Sequence, residues 1–149
     1  MFRGRSVHNL DAKGRLSIPA RFREVLRAKY GEERLIVTNL PECLVAYPLD
    51  EWRILEEEFT RIRFAPPEVL AFQRYFIAGG LECPLDSHGR ILLPPTLREP
   101  AGIDKEIVLS GMLTHFEIWD KERLDAELGK ARDNFDNYSR AISGTGLRA

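Results

Sequence analysis

Residues 10–19 are Leu-Asp-Ala-Lys-Gly-Arg-Leu-Ser-Ile-Pro, and residues 85–94 are Leu-Asp-Ser-His-Gly-Arg-Ile-Leu-Leu-Pro. Leucine, aspartate, glycine, arginine and proline recur at identical spacing, with apolar residues between the arginine and the proline. A long stretch of other sequence separates the two copies. Two such matches by chance are improbable, so we interpret the chain as an internal duplication.

Each copy has the chemistry of a tight turn between two strands. An aspartate followed three positions later by a glycine is typical of a type I turn, and glycine tolerates the left-handed backbone that ends it. The predicted turn residues are Asp11, Gly14, Asp86 and Gly89. Arg15 and Arg90 would sit just after the turn, beside the aspartate, and the proline would end the second strand.

Composition indicates an ordinary globular chain of 149 residues, with 44% hydrophobic and 30% charged residues. No apolar run approaches the length of a membrane span, and the segment 1–5 lacks the apolar region of a secretory signal. Cys43 and Cys83 lie far apart without metal-ligand spacing. We expect two buried thiols in a reducing, cytoplasmic compartment rather than a disulfide or a zinc site.

The charge is unevenly distributed. The formal net charge is −1, which alone argues against a nucleic-acid partner. Residues 1–23 nevertheless carry six basic residues against Asp11, a local charge of +5 that indicates an anionic partner. The basic residues are Arg3, Arg5, Lys13, Arg15, Arg21 and Arg23. A solvated basic face is the open alternative.

Hydrophobic patterning predicts the same order of elements in each half: strand, turn, strand, helix, strand, strand, helix. In the first half the strands are 5–10, 15–18, 35–38 and 44–47. A helix follows Pro19, with Arg21 and Arg23 facing outward, and stops at Gly31. A second helix spans 51 to about 63 with Asp50 as its N-cap, and a third spans about 68–77.

The second half repeats this order with strands at 81–85, 90–93, 107–110 and 116–119, and only a turn of helix within 94–103. Asp120 is expected to cap a last helix whose apolar stripe is Leu124, Leu128, Ala131 and Phe135. The tail from about residue 137 lacks periodicity and is expected to be mobile. Because four short strands make a poor independent domain, we expect an α+β fold in which both halves form one small β-barrel flanked by helices.

The Asp-x-x-Gly-Arg-x-x-x-Pro stretches resemble the swapped-hairpin barrel of the AbrB-type transcription factors. Two copies in one chain, the opening segment 1–4 and the stretch 72–76 before Gly79 and Gly80 resemble the MraZ family, bacterial regulators of the division and cell-wall gene cluster. The resemblance divides the chain into a first AbrB-like repeat (5–52), a helical connector (53–80), a second repeat (81–124) and a C-terminal helix with its tail (125–149).

The resemblance implies a cytoplasmic, nucleoid-associated protein that binds double-stranded DNA at short promoter repeats as a ring-like homo-oligomer, without a cofactor, membrane or small-molecule substrate. The Asp-x-x-x-Arg motifs would form the functional surface. The expected DNA-binding residues are Arg15, Lys13 and Arg90 from these motifs, with Arg5 and Arg3 from the basic excess of residues 1–23. His88 replaces Lys13 in the second copy, which also lacks counterparts of Arg3 and Arg5, so we expect the second turn to have little basic surrounding and to bind more weakly.

Three alternatives stay open or are weakened by the sequence. Arg15 and Arg90 could merely pair with their own turn aspartates. The protein could be a scaffold or an antitoxin-like partner protein, with Trp52, Leu55, Leu124 and Leu128 facing another protein. An enzyme is disfavoured, because Asp86, Ser87 and His88 share one turn, whereas a triad needs groups from separate elements, and the histidines are dispersed.

Overall fold

The computed structural model describes residues 1–147, which form eight strands and six helices. The strands are β1 (Arg5–Asn9), β2 (Arg15–Ser17), β3 (Arg34–Asn39), β4 (Leu44–Pro48), β5 (Leu81–Pro84), β6 (Arg90–Leu92), β7 (Glu106–Gly111) and β8 (Phe116–Asp120). The helices are α1 (Ala20–Val25), α2 (Leu49–Thr60), α3 (Pro67–Phe72), α4 (Pro95–Arg98), α5 (Lys121–Asp133) and α6 (Phe135–Ser143). A π-helical turn extends α1 over Leu26–Tyr30 and α3 over Gln73–Ile77. The predicted order of elements is confirmed in both halves.

Helix ends follow local chemistry, with one correction. Asp120 caps α5 as predicted, since its carboxylate accepts a hydrogen bond of 3.1 Å from the amide of Arg123. Asp50 is not an N-cap. It lies in the first turn of α2, where its charge complements the helix dipole, because Pro48 takes the extended capping position.

The C-terminal segment contains a helix where none was predicted, whereas its mobility stays a prediction and residues 148–149 lie outside the described part of the chain. Helix α5 ends at Asp133, and a separate helix, α6, runs from Phe135 to Ser143. The apolar stripe predicted for α5 therefore does not reach Phe135, which begins α6 and is 67% exposed.

The two copies exchange strands. Strand β1 of the first copy pairs with β7 of the second, and β5 of the second copy pairs with β3 of the first. The result is one antiparallel six-stranded sheet in the order β1-β7-β8-β4-β3-β5, and a separate two-stranded ribbon of β2 and β6. The strands flanking each turn therefore do not pair as a hairpin, because each finds its partner in the other copy.

This arrangement confirms the α+β class and the mutual dependence of the two halves. Closure into a barrel is not confirmed. Strands β1 and β5 are the two edges of the sheet, and no ladder joins them within residues 1–147. Within the same residues, no helix is both long and apolar enough to cross a membrane.

The main core is built from both copies. Phe2 is fully buried and its ring lies 5.2 Å from Phe22 and 5.3 Å from Phe116, so the chain start is locked between the two halves. Cys83 lies in this core, where burial raises the pKa of its thiol to about 11. Both cysteines are buried free thiols, as predicted.

A second cluster holds the connector on the sheet. The rings of Trp52 and Phe76 lie 5.6 Å apart and pack on Ile36 and Val45 of the sheet. The connector is thus packed rather than loose. Trp52 and Leu124 are only 4% and 6% exposed, so two of the four residues expected to face a partner in the scaffold alternative belong to the core.

Candidate nucleic-acid interface

The first turn is built around the carboxylate of Asp11. One oxygen, Oδ1, accepts hydrogen bonds from the amides of Lys13 (2.9 Å) and Arg15 (2.8 Å). The other, Oδ2, accepts one of 2.6 Å from Nε of the Arg15 guanidinium. Gly14 completes the turn with a positive φ of 81°, which other residues adopt only with strain. The predicted turn and its arginine–aspartate pair are confirmed.

The second turn repeats this geometry. Asp86 Oδ1 accepts hydrogen bonds from the amides of His88 (2.8 Å) and Arg90 (3.0 Å), and Oδ2 accepts one of 2.9 Å from Arg90 Nε. Gly89 has a φ of 73°. The carboxylate therefore bonds to the backbone of His88 and not to its ring, unlike the arrangement of a hydrolase triad.

Both aspartates are held ionised. The pKa of Asp11 lies below its usual value, chiefly because of the Arg15 amide, with the Arg15 guanidinium and the Lys13 amide adding to the effect. The pKa of Asp86 is lowered in the same way, chiefly by the Arg90 amide and then by the amide of His88. Each carboxylate fixes its arginine through charge-assisted hydrogen bonds.

The ribbon places both arginines on one outward face. In the β2–β6 ladder Arg15 is opposite Leu92 and Ser17 is opposite Arg90, so these four side chains share one face, which we call the ribbon face. Leu16 and Ile91, at the position between, point into the core and are 0% and 1% exposed. Arg15 and Arg90 occupy diagonal positions, whose backbone separation is about 7–8 Å.

The guanidinium groups of the ribbon face keep donors for a ligand. The side chains of Arg15 and Arg90 are 33% and 26% exposed. Each is anchored through Nε, and within residues 1–147 the Nη groups of Arg15 make no hydrogen bond. One Nη group of Arg90 lies 3.5 Å from the ring of His88. Such a pre-oriented edge matches the paired acceptors of a phosphate or of the guanine edge.

The other predicted DNA-binding residues do not all reach this face. Lys13 is exposed in the first turn itself. Arg3 and Arg5 are exposed but belong to the chain start and to β1. About 13 Å of strand separates Arg5 from Asn9, which precedes the turn. Arg15, Lys13 and Arg90 therefore belong to the ribbon and its turns, whereas Arg5 belongs to β1 and Arg3 precedes it.

Arg23 corrects two predictions. It does not simply face outward, because it is half-buried and its Nε donates a hydrogen bond of 3.1 Å to the carbonyl of Ile18. Its side chain lies against Gly89, so a basic residue of the first copy stands beside the second turn. The second turn is thus less isolated from positive charge than its own sequence indicates, because exchange of strands supplies neighbours from the other copy.

Arg98 is a residue that sequence reasoning missed. It lies against Gly14 of the first turn, as Arg23 lies against Gly89 of the second. A signal was present in the sequence, since each arginine follows its motif proline, Pro19 or Pro94, by four residues. The repeat therefore extends further than the stretch from leucine to proline.

The histidines and acidic residues do not assemble elsewhere. Among residues 1–147, no group of three or more histidines, cysteines, aspartates or glutamates is arranged to hold a metal ion. His8 and His115 are half-buried and His88 is exposed in its turn. His115 stacks on Tyr47 at 4.7 Å between ring centroids.

Comparison with known proteins identifies the family. A family sequence model described as "MraZ protein, putative antitoxin-like" matches the chain twice, over residues 1–75 and 76–143. A protein of Syntrophobacter fumaroxidans named Transcriptional regulator MraZ is 47% identical over 146 residues, covering 98% of this chain and 97% of the relative. Proteins of the same name are 43% identical in Desulfitobacterium hafniense, over 99% of this chain and 100% of the relative, and 42% identical in Desulforamulus reducens, over 95% and 97%. The chain therefore belongs to the MraZ family, as its two Asp-x-x-Gly-Arg motifs predicted.

Proposed function

We propose that this protein is a transcriptional regulator that binds double-stranded DNA in a sequence-specific manner through the ribbon face. The observation that carries the proposal is the shared orientation of Arg15 and Arg90, each fixed at Nε by its own turn aspartate. The name of the relatives, Transcriptional regulator MraZ, supports the regulatory role. We propose promoter repeats of the division and cell-wall gene cluster as the target, on the nucleoid.

The geometry suggests a division of labour between the carboxylates and the guanidiniums. Each aspartate removes much of the rotational freedom of its arginine before DNA arrives, which lowers the entropic cost of binding. The Nη edge then contacts phosphate oxygens, which positions the protein, or a guanine edge, which specifies sequence. Lys13 adds a phosphate contact beside the first turn.

A homo-oligomer, which we propose to be a ring, would explain how a chain of net charge −1 binds a polyanion. Several ribbon faces would then engage neighbouring DNA repeats, and linkage of this kind raises affinity by about 10²–10⁴. The connector offers a surface for contacts between copies, since Phe64 is 95% exposed and Phe72 is 47% exposed.

A gel-shift assay on the DNA upstream of the protein's own gene tests the site. Arg15→Ala should weaken binding by about tenfold or more, since a lost guanine or phosphate contact costs about 1–3 kcal/mol. Arg61→Ala, at an exposed arginine that directly follows α2, is the matched control and should bind like the unmodified protein. Both variants should elute as the unmodified protein on sizing. Normal binding by Arg15→Ala would contradict the assignment of the ribbon face as the DNA-binding site.

Salt dependence provides a second, independent test. Each phosphate neutralised changes the slope of log K against log salt by about −0.9. We therefore expect a steep decrease in affinity with salt, and a shallower slope for Lys13→Ala. A flat response in the unmodified protein would contradict a basic-face mechanism.

A protein-binding scaffold is the second candidate, favoured by exposed aromatics on α6. Phe135 and Tyr138 are 67% and 53% exposed, and the family description includes the words antitoxin-like. This candidate predicts that Phe135→Ser abolishes a stoichiometric complex with another protein and leaves the gel shift unchanged. Loss of the oligomer alone would instead assign the surface to self-association.

A further inference from the structure

We propose that Arg23 and Arg98 are positioning residues, each of which clamps the turn of the opposite copy and so sets the geometry of the ribbon face. The inference rests on the proposed role of Arg15 and Arg90 in DNA binding. It extends that role to two residues that lie behind the turns.

The backbone of the two copies interlocks at the turns. The amide of Ile18, directly after β2, donates a hydrogen bond of 2.9 Å to the carbonyl of Gly89. In the same way the amide of Leu93 donates one of 2.9 Å to the carbonyl of Gly14. Each turn is therefore held by the strand end of the other copy.

The two arginines complete this interlock. Arg23 Nε donates to the carbonyl of Ile18 at 3.1 Å, and Arg98 Nε donates to the carbonyl of Leu93 at 2.8 Å. Ile18 and Leu93 thus each hold a turn through the backbone amide. Each is itself held by an arginine, which donates to its backbone carbonyl. Because each arginine is half-buried, its loss would leave a partly desolvated carbonyl without this donor.

The arginine side chains also cover the turn glycines. A Cβ placed on Gly89 would lie 2.6 Å from Arg23 Cδ and 2.8 Å from its Nε. A Cβ placed on Gly14 would lie 3.4 Å from both Cζ and Nη2 of Arg98. A side chain at Gly89 would therefore displace Arg23 in addition to straining the positive φ, whereas at Gly14 the guanidinium of Arg98 lies at ordinary contact distance and the tighter neighbour is the carbonyl of Leu93, at 3.1 Å.

The clamps cross between the copies. Arg23 belongs to the first copy and covers the turn that presents Arg90, whereas Arg98 belongs to the second copy and covers the turn that presents Arg15. Arg23 should therefore act on DNA through Arg90, and Arg98 through Arg15. This pairing differs from the one expected if each arginine served the motif next to it in sequence.

Double-mutant cycles on DNA affinity test the crossing. Arg23→Ala alone should weaken binding by about three- to tenfold, and should cost nothing more in an Arg90→Ala background, because contacting groups couple. In an Arg15→Ala background its effect should stay the same size. Arg98→Ala should show the reverse pattern. Additive losses in all four combinations, or coupling to the motif of the same copy, would overturn the proposal.

Lysine variants separate positioning from charge. Arg23→Lys and Arg98→Lys keep the positive charge but lose the Nε–H that holds the strand-end carbonyl. They should weaken binding in the same crossed pattern, and they serve where an alanine variant does not fold. Unmodified affinity in both lysine variants would show that only the charge matters and would overturn the clamp.

Amide hydrogen exchange of the DNA-free protein gives a readout that does not depend on the proposed function. Arg23→Lys should speed exchange of the Ile18 and Gly89 amides by about tenfold and leave those of Gly14 and Leu93 unchanged, since local opening is governed by local contacts. If Arg15→Ala and Arg90→Ala bind DNA normally, the proposed function is wrong. Amide hydrogen exchange would still show whether Arg23 and Arg98 hold the turns. Unchanged exchange would overturn the clamp alone.

Discussion

The two turns have the same backbone geometry in different surroundings. Both hold an arginine by its Nε on the turn aspartate, at 2.6 Å in the first copy and 2.9 Å in the second. The first has Lys13 at its tip and the second has His88. The comparison shows that the repeat preserves the presentation of one arginine, while the charge around it is left to vary.

The surroundings also differ in origin, because each turn is completed by the other copy. Arg98 of the second copy lies against Gly14 of the first turn, and Arg23 of the first copy lies against Gly89 of the second turn. The charge of a turn therefore cannot be read from its own copy. The sequence predicted a basic first turn and a second turn with little basic surrounding, whereas the structure supplies each turn with one arginine from the other copy.

The largest expected effect is the loss of stability when equivalent core side chains of the two copies are truncated. Phe22 and Leu97 occupy equivalent positions and are 1% and 2% exposed. Phe22→Ala should lower the free energy of unfolding by about 4 kcal/mol and Leu97→Ala by about 3 kcal/mol, since the phenyl ring leaves the larger cavity. Urea denaturation measures both. Ile54→Ala, at an exposed position, is the control. A greater loss of stability for Leu97→Ala than for Phe22→Ala would contradict the prediction.

The turn glycines give the next effect. Gly14→Ala and Gly89→Ala should each cost about 1–2 kcal/mol, because the left-handed backbone is strained by a Cβ. A methyl group at Gly14 would meet the carbonyl of Leu93 at 3.1 Å, whereas one at Gly89 would displace Arg23. Gly129→Ala in α5, where a Cβ meets nothing within 4 Å, should instead stabilise the protein. Equal stability of all three variants would show that a Cβ does not strain the backbone at Gly14 and Gly89.

Exchange of the residues at the tips should make the turns more alike. His88→Lys should raise DNA affinity by about two- to fivefold at neutral pH and steepen the salt slope by about 0.9, as one added phosphate contact does. Lys13→His should do the opposite. Gel shifts across a salt series measure both, and a loss of affinity in His88→Lys would show that the second turn does not face the DNA.

The smallest effect concerns His8, which stands where the second copy has Cys83. Burial, followed by the charge of Arg21, lowers the pKa of His8. The unfolded chain then binds the proton more readily, so stability should decrease as the pH falls from about 7 to 5. His8→Cys should reduce this loss in thermal melts. A smaller loss should remain, because burial also lowers the pKa of His115; an unchanged pH response would contradict the prediction.

Local chemistry predicted the local features. The spacing of Asp11, Gly14 and Arg15 is enough to predict the turn and its ion pair, because all the contacts lie within five residues. The same holds for the cap at Asp120. The binding roles of the arginines and the domain limits stay predictions.

Non-local features were out of reach or were overlooked. Strand periodicity does not say which partner a strand takes, so the pairing of β1 with β7 could not be predicted from the motif. Helix α6 was overlooked, although Phe135, Tyr138 and Ile142 recur at helical spacing. Arg23 was misplaced because its contact, Gly89, comes from the other copy.

The bridge between Phe2 and Leu113 has a consequence for protein synthesis. Phe2 leaves the ribosome about 110 residues before Leu113, an interval of roughly 5–20 s at ordinary elongation rates. During that interval β1 has no partner and the Phe2 ring has no pocket. Nascent chains of this protein should therefore be clients of ribosome-associated chaperones until the seventh strand emerges.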